Sequence, residues 1–235
     1  MGRTAATLAD VYHRLHEVYG PQRWWPADSV FEMIVGAILT QSAAWSNVEK
    51  AIANLKAAGA LSAAALRDMP QEALAKLVYP SGYYNAKAAK LKAFVHHLAR
   101  YDDDLTRLFD QDVARLREEL LEIHGVGEET ADSIILYPAK KPIFVVDAYT
   151  RRILERLGVE PAHRTYAGYQ ALFHAHLPSD VEMFNEYHAL LVRLGKDICR
   201  KPPRCGECPL LEICPAGQGG RPGKPVLALI TRPVP

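Results

Sequence analysis

At 235 residues, against about 150 per domain, the chain makes one large domain or two small ones, and its 49% apolar content suffices for a buried core, excluding a disordered or collagen-like chain. The 28 basic and 27 acidic side chains leave a net charge of +1, which taken alone argues against a nucleic-acid partner. Along the chain that balance breaks into blocks: residues 1–101 carry 11 basic and 7 acidic groups, residues 102–132 carry 3 and 11, and residues 133–235 carry 14 and 9. No apolar run approaches the roughly 18 residues that cross a bilayer, and residues 1–12 lack a basic stretch followed by an apolar one. The expectation is a soluble, cytoplasmic protein with no membrane partner.

Taken in chain order, Trp24, Trp25 and Pro26 precede a first apolar stripe at helical spacing (Phe31, Ile34, Val35, Ile38, Leu39), and Trp45 follows the Thr40-Gln41-Ser42 turn. After a break at Pro80-Ser81-Gly82 comes a second stripe, Leu91, Phe94, Val95 and Leu98. The Asp102-Asp103-Asp104 run reads as a solvated turn with an N-cap. His96-His97 and His174-Ala175-His176 have no carboxylate or cysteine partner at useful spacing and read as ordinary exposed or core histidines. Residues 113–137 form an amphipathic helix, a Gly125-Val126-Gly127 hairpin and a second helix opened by acidic residues and Thr130. The two glycines permit backbone conformations closed to other residues, so that hairpin N–H groups can cup a phosphate at a helix N-terminus without reading sequence. A tight helix–helix turn would use the same residues. Asp147, after Val145-Val146, suits either a catalytic carboxylate or the N-cap of the helix carrying Ile153, Leu154 and Leu157, and both roles are compatible. Further breaks at Gly20-Pro21, Tyr137-Pro138 and Gly158 complete an all-α protein of about ten helices with almost no alternating strand pattern.

All four cysteines lie near the C-terminus: Cys199, Cys205, Cys208 and Cys214 spell C-x5-C-x2-C-x5-C. Four thiolates so close in sequence suit one metal centre, and a single C-x2-C with five-residue arms fits an iron–sulfur cubane better than a zinc ribbon, with zinc the alternative. Arg193, Lys196, Arg200, Lys201 and Arg204 surround them, either as a phosphate-contacting loop or as a solvated one offsetting thiolate charge.

The His124-Gly125-Val126-Gly127 hairpin, Val145-Val146-Asp147 placed 18 residues after Glu129, and the four-cysteine loop together resemble the endonuclease III superfamily of helix–hairpin–helix DNA glycosylases. Residues 31–51 look like its first core helices, and Gly82-Tyr83-Tyr84-Asn85-Ala86-Lys87-Ala88 like its G-x-Y-N-x-K-A element; the likeness spans roughly residues 24–214. It implies two helical lobes with a DNA cleft between them: a helical barrel at 24–137, ending in the hairpin motif at 113–137, and an iron–sulfur lobe made of 1–23 plus 138–214, with 215–235 an irregular Pro/Gly-rich tail. It further implies a [4Fe-4S] cluster on the four cysteines, a monomer acting on double-stranded DNA with damaged bases (nucleoid-associated if bacterial), and base flipping into the cleft. Asp147 matches the family's catalytic aspartate. Gln41 and Ser42 stand at the turn that fills the gap left by the flipped base, and Tyr83 at the wedge position, unless it simply packs in the Tyr83-Tyr84 pair.

Glu129 occupies the place where bifunctional members carry a Schiff-base lysine, and a carboxylate cannot form one. The expectation is therefore a monofunctional enzyme lacking AP-lyase activity, with Lys140 or Lys141 the alternative amines and Glu129 either a pocket residue or a plain helix-terminal acid. The W-W-P element and the T-Q-x-x-x-W-x-N-V-E pattern look like the 3-methyladenine glycosylase branch, whose aromatics sandwich the flipped base. Trp24, Trp25, Pro26 and Trp45 are the candidate walls, at least one of the first two as a stacking ring and the other as ordinary core. A methylated purine is cationic and gains about 0.5–2 kcal/mol over an indole face. The rival readings are an oxidised-pyrimidine glycosylase of the endonuclease III kind and a non-catalytic iron–sulfur DNA-binding protein.

Overall fold

A computed structural model of the chain describes residues 7–219. Among them are twelve α-helices, four short 3₁₀ turns and no strand. The all-α expectation holds among them, and the part of the 215–235 tail past residue 219 lies outside the described residues. The helices outnumber the expected ten because Ala63–Asp68, Gln71–Leu77 and Leu105–Phe109 are 6, 7 and 5 residues long, too short to show a periodic stripe.

The chain divides into two units, Trp24 closing one segment and Trp25 opening the other. After α1 (Leu8–Tyr19), which belongs to the unit described second, come the helices of the unit Trp25–Lys141: α2 (Val30–Leu39), α3 (Trp45–Ala57), α4 (Ala63–Asp68), α5 (Gln71–Leu77), α6 (Tyr84–Leu98), α7 (Leu105–Phe109), α8 (Val113–Glu122) and α9 (Glu128–Leu136). Ser29 starts α2 by accepting the Glu32 N–H at 3.1 Å. Ile34, Val35, Ile38 and Leu39 are fully buried, and α3, α6 and α9 pack around them, so α2 is the unit's central helix. Each such buried aliphatic side chain contributes about 1.5–3 kcal/mol. At its end the buried Lys87 ammonium donates to the Leu39 carbonyl (2.8 Å) and to Ser81 (2.5 Å), pinning the 3₁₀ turn Tyr79–Ser81 that leads into Tyr83. Burial, and then the charge of Lys90, pull that amine down to about 8.

His97 is a core histidine, one of the two readings expected, and its carboxylate partner, Glu119, is 2.8 Å away but 22 residues distant in the chain; Tyr101 donates to the same carboxylate. Local spacing could not reveal that pair. The Asp102–Asp104 run is the turn expected: Asp104 caps α7 by accepting from the Thr106 N–H, and Asp103 holds Arg67 through two bonds.

The other unit joins α1 to α10 (Ala148–Leu157), α11 (Tyr166–His176) and α12 (Val181–Asp197). α12 packs on α10 and α1. Phe144, Phe173, Phe184 and Tyr187 fill the core, Phe144 and Phe173 face to face, and the Tyr187 hydroxyl donates to the Leu8 carbonyl at 2.8 Å. No described helix is long and apolar enough to cross a membrane.

Candidate functional site

Asp147 is the N-cap of α10: its Oδ1 accepts the Thr150 N–H at 2.7 Å. Only 9% of the residue is exposed. The cap and the candidate catalyst are thus one residue. His188, buried on α12, brings Nε2 to 3.8 Å from Asp147 Oδ2, and burial lowers its pKa against the opposing pull of the carboxylate.

The extended segment before Asp147 has no β partner, yet Ile143, Phe144, Val145 and Val146 are all buried. Its backbone is satisfied instead by one face of α11. Gln170 Nε2 donates to the Phe144 carbonyl (2.7 Å), the Phe144 N–H donates to His174 Nε2 (3.3 Å), and the Val146 N–H donates to the Tyr166 hydroxyl (3.3 Å). Tyr166, Gln170 and His174 recur every four residues, which puts them on one helical stripe. Sequence reading missed this ladder and set His174 aside. The available signal was a polar stripe opposite an uncapped apolar run.

α10 also reaches the cysteine loop. Arg152 donates to the Cys199 and Gly195 carbonyls at 2.9 and 2.8 Å, and Arg156 to the Cys199 carbonyl at 2.8 Å and its Sγ at 3.0 Å. Cys199, Cys205, Cys208 and Cys214 all line one cavity of about 50 Å³. Burial pushes the Cys208 thiol up to about 11, with the other three sulfurs adding to the rise, and burial raises Cys214 as well. Holding Cys208 and Cys214 as thiolates beside the other two sulfurs requires positive charge among them.

In the unit Trp25–Lys141 the hairpin lies between α8 and α9. Gly125 has φ +83°, a region that penalises any side chain, and a Cβ there would also collide with the Lys90 stem. Gly127 departs from expectation: at φ −95° it is an ordinary extended N-cap for α9. Val126 is 5% exposed, with its N–H donating to the Ile123 carbonyl, so it anchors the hairpin from inside. Thr130 is buried, and Glu129 is exposed in the first turn of α9.

Gln41 is half-buried, and its amide donates to the Gly125 carbonyl (3.1 Å) and Thr130 Oγ1 (3.0 Å) while its oxygen accepts from Lys90. Ser42 beside it is exposed at φ +53°. Tyr83 is 74% exposed and holds φ +45° at the start of α6, a conformation that costs a bulky residue about 1–2 kcal/mol.

Trp25 and Trp45 meet edge to face with centroids 5.2 Å apart, and Tyr137, which sequence reading did not nominate, lies 5.1 Å from Trp25. Gly36 lets the Trp25 indole sit against α2, where a Cβ would be 3.3 Å from the ring. Trp45 Nε1 donates to Glu49. Pro26 is exposed, and Trp24 belongs to the other unit.

Residues 35–178 match the model of the HhH-GPD superfamily of base excision DNA repair proteins. The chain belongs to that superfamily. It is accordingly an enzyme of the DNA glycosylase class. A Methanocaldococcus jannaschii protein, provisionally named a DNA repair glycosylase, is 43% identical over 206 residues, covering 87% of this chain and 94% of that protein. Endonuclease III of Sulfolobus acidocaldarius is 26% identical over 188 residues, 79% of this chain and 82% of its own. Among solved structures, the 3-methyladenine DNA glycosylase MagIII of H. pylori bound to 1,N6-ethenoadenine superposes with a TM-score of 0.71 at 25% identity, covering 81% of this chain and 98% of that one.

Proposed function

We propose that this glycosylase excises alkylated purines such as 3-methyladenine from double-stranded DNA by hydrolysis, acts as a monomer and has no lyase step. The observation that carries the reading is the aromatic cluster in which the Trp25 ring meets both Trp45 and Tyr137, all of them electron-rich. Such rings favour a cationic, electron-poor base over a neutral oxidised pyrimidine. The likeness to a 3-methyladenine glycosylase solved with an ethenoadenine ligand supports the same choice. Glu129, exposed at the start of α9, supports the absence of an attacking amine at that position.

The chemistry assigned to this chain's residues follows. Gly125, Gly127 and the first turn of α9 offer N–H groups to a backbone phosphate, and the exposed, αL-held Tyr83 enters the stack beside the flipped nucleotide. The Asp147 carboxylate, 3.8 Å from His188 Nε2, stabilises positive charge on the sugar as the C1′–N bond breaks and the base leaves with the bonding electrons. A methylated purine departs neutral without a proton from the protein. Water oriented by Asp147 adds at C1′, and its proton passes to the carboxylate and then to solvent, leaving an abasic site. Cys199, Cys205, Cys208 and Cys214, which line one cavity, would hold a [4Fe-4S] cluster; the single C-x2-C with five-residue arms favours it over one zinc ion, and Arg156 donating to Cys199 Sγ suits a ligating thiolate. When bound, such a cluster ties the loop to α10 and α12.

The test is single-turnover base release from duplexes carrying 3-methyladenine, an oxidised pyrimidine or a G·T mismatch. Release of 3-methyladenine at least 100-fold faster than either other base is expected. Preference for the oxidised pyrimidine would place the chain with the endonuclease III enzymes, and release of no base would leave a DNA-binding protein.

A further inference from the structure

Gln41 and Tyr83 are both candidates to enter DNA at the flipped nucleotide, yet the structure treats them differently. Tyr83 is exposed and strained. Gln41 is fastened at both ends of its amide, to Gly125 and Thr130 through Nε2 and to Lys90 through Oε1. The Lys90 stem runs against Gly125 at the one hairpin position where no Cβ fits, so the hairpin's glycine makes room for this lysine as well as for its own φ. Withdrawing Gln41 would break three hydrogen bonds, one of them to a charge.

We infer that Lys90 is a positioning residue that clamps Gln41, and with it the turn after α2, onto the hairpin, making the two one rigid DNA-facing surface and leaving the gap to Tyr83. The inference rests on the proposed DNA contact of the hairpin and the Gln41-Ser42 turn. It separates two tasks: the clamp serves grip on any duplex, and Tyr83 serves discrimination of a site with a displaced base. The Lys90 ammonium is committed to Gln41 and takes no phosphate itself.

The experiment measures affinity for an undamaged duplex and for one carrying a tetrahydrofuran abasic analogue, each across a salt series. The proteins are the wild type, Lys90→Met, Gln41→Met, the double variant and Tyr83→Ala. Methionine keeps an aliphatic stem at 90 and removes only the ammonium. Lys90→Met and Gln41→Met are each expected to weaken both duplexes by the same factor, about 10-fold. The double variant should be no weaker than the worse single one, because both remove one bridge. The salt slope should be unchanged in Lys90→Met, and Tyr83→Ala alone should collapse the preference for the abasic duplex. Should Lys90→Met fail to fold, Gln41→Met reads the same bridge from its other end.

Loss confined to the abasic duplex in Gln41→Met, with Lys90→Met silent or tighter, would overturn the inference, since Gln41 would then leave its dock to enter the DNA. A salt slope lowered by about one unit in Lys90→Met, with effects that add, would also overturn it by making Lys90 a phosphate contact. A wild type without preference for the abasic duplex and without base release would count against the glycosylase reading, while the clamp remains readable on undamaged DNA.

Discussion

Asp147→Asn is expected to abolish base release, with a loss of about 1000-fold or more in the single-turnover rate, while DNA affinity stays within a few-fold of wild type. The substitution isolates charge from structure. Asparagine caps a helix as well as aspartate does, so the 2.7 Å bond from the Thr150 N–H to the residue-147 side chain survives, and α10 starts where it did. The backbone ahead of it is still held by Gln170, His174 and Tyr166. What disappears is the negative charge that stabilises the developing sugar cation. Alanine is a poorer probe, because it removes the cap too and costs about 1 kcal/mol of stability. Full activity in Asp147→Asn, measured as free base released, would refute the assignment of the carboxylate.

Cys208→Ala is expected to lower bound iron from about four atoms per chain to near none and to make residues 199–214 sensitive to proteolysis. Three sulfurs cannot satisfy the coordination that four provide. In addition, burial raises the pKa of the remaining Cys214 thiol and so disfavours its metal-binding thiolate form. The consequence should spread through α10, whose Arg152 and Arg156 are fastened to the Cys199 carbonyl. A fall in DNA affinity should accompany the loss if the loop's Arg200, Lys201 and Arg204 contact phosphate. Metal analysis and limited proteolysis of the wild type and the variant check both parts. Zinc at one equivalent in the wild type would replace the cluster assignment.

Much of the helical framework was legible because its signals are local. Asp104 and Asp147 cap where the sequence offers an N-cap, and the breaks at Gly20, Gly82 and Gly158 fall where helices or 3₁₀ turns end. The four cysteines were legible as one constellation for the same reason, lying within a short span. What escaped was contact between residues far apart in the chain. Gln41 meets Gly125 across 84 positions and Thr130 across 89, and a polar residue on a turn gives no hint that its amide is already committed. The α11 ladder escaped because Tyr166, Gln170 and His174 serve backbone groups of another element. Gly127 was overread: next to Gly125 it looked conformationally special, but an N-cap in extended backbone suits most residues. Whole-chain neutrality misled for a related reason, since a hairpin can offer backbone N–H groups to phosphate and so needs little side-chain charge.

The alkali dependence of strand breakage at a 3-methyladenine site tests the central claim most directly. The protein is incubated with an end-labelled duplex containing the lesion, and half of each sample is heated in alkali before both halves are resolved by length. Hydrolytic excision without a Schiff base leaves an intact strand that breaks only after alkali, and borohydride traps no protein–DNA adduct. Breakage before alkali, together with a trapped covalent complex, would contradict it and direct attention from Glu129 to Lys140 and Lys141.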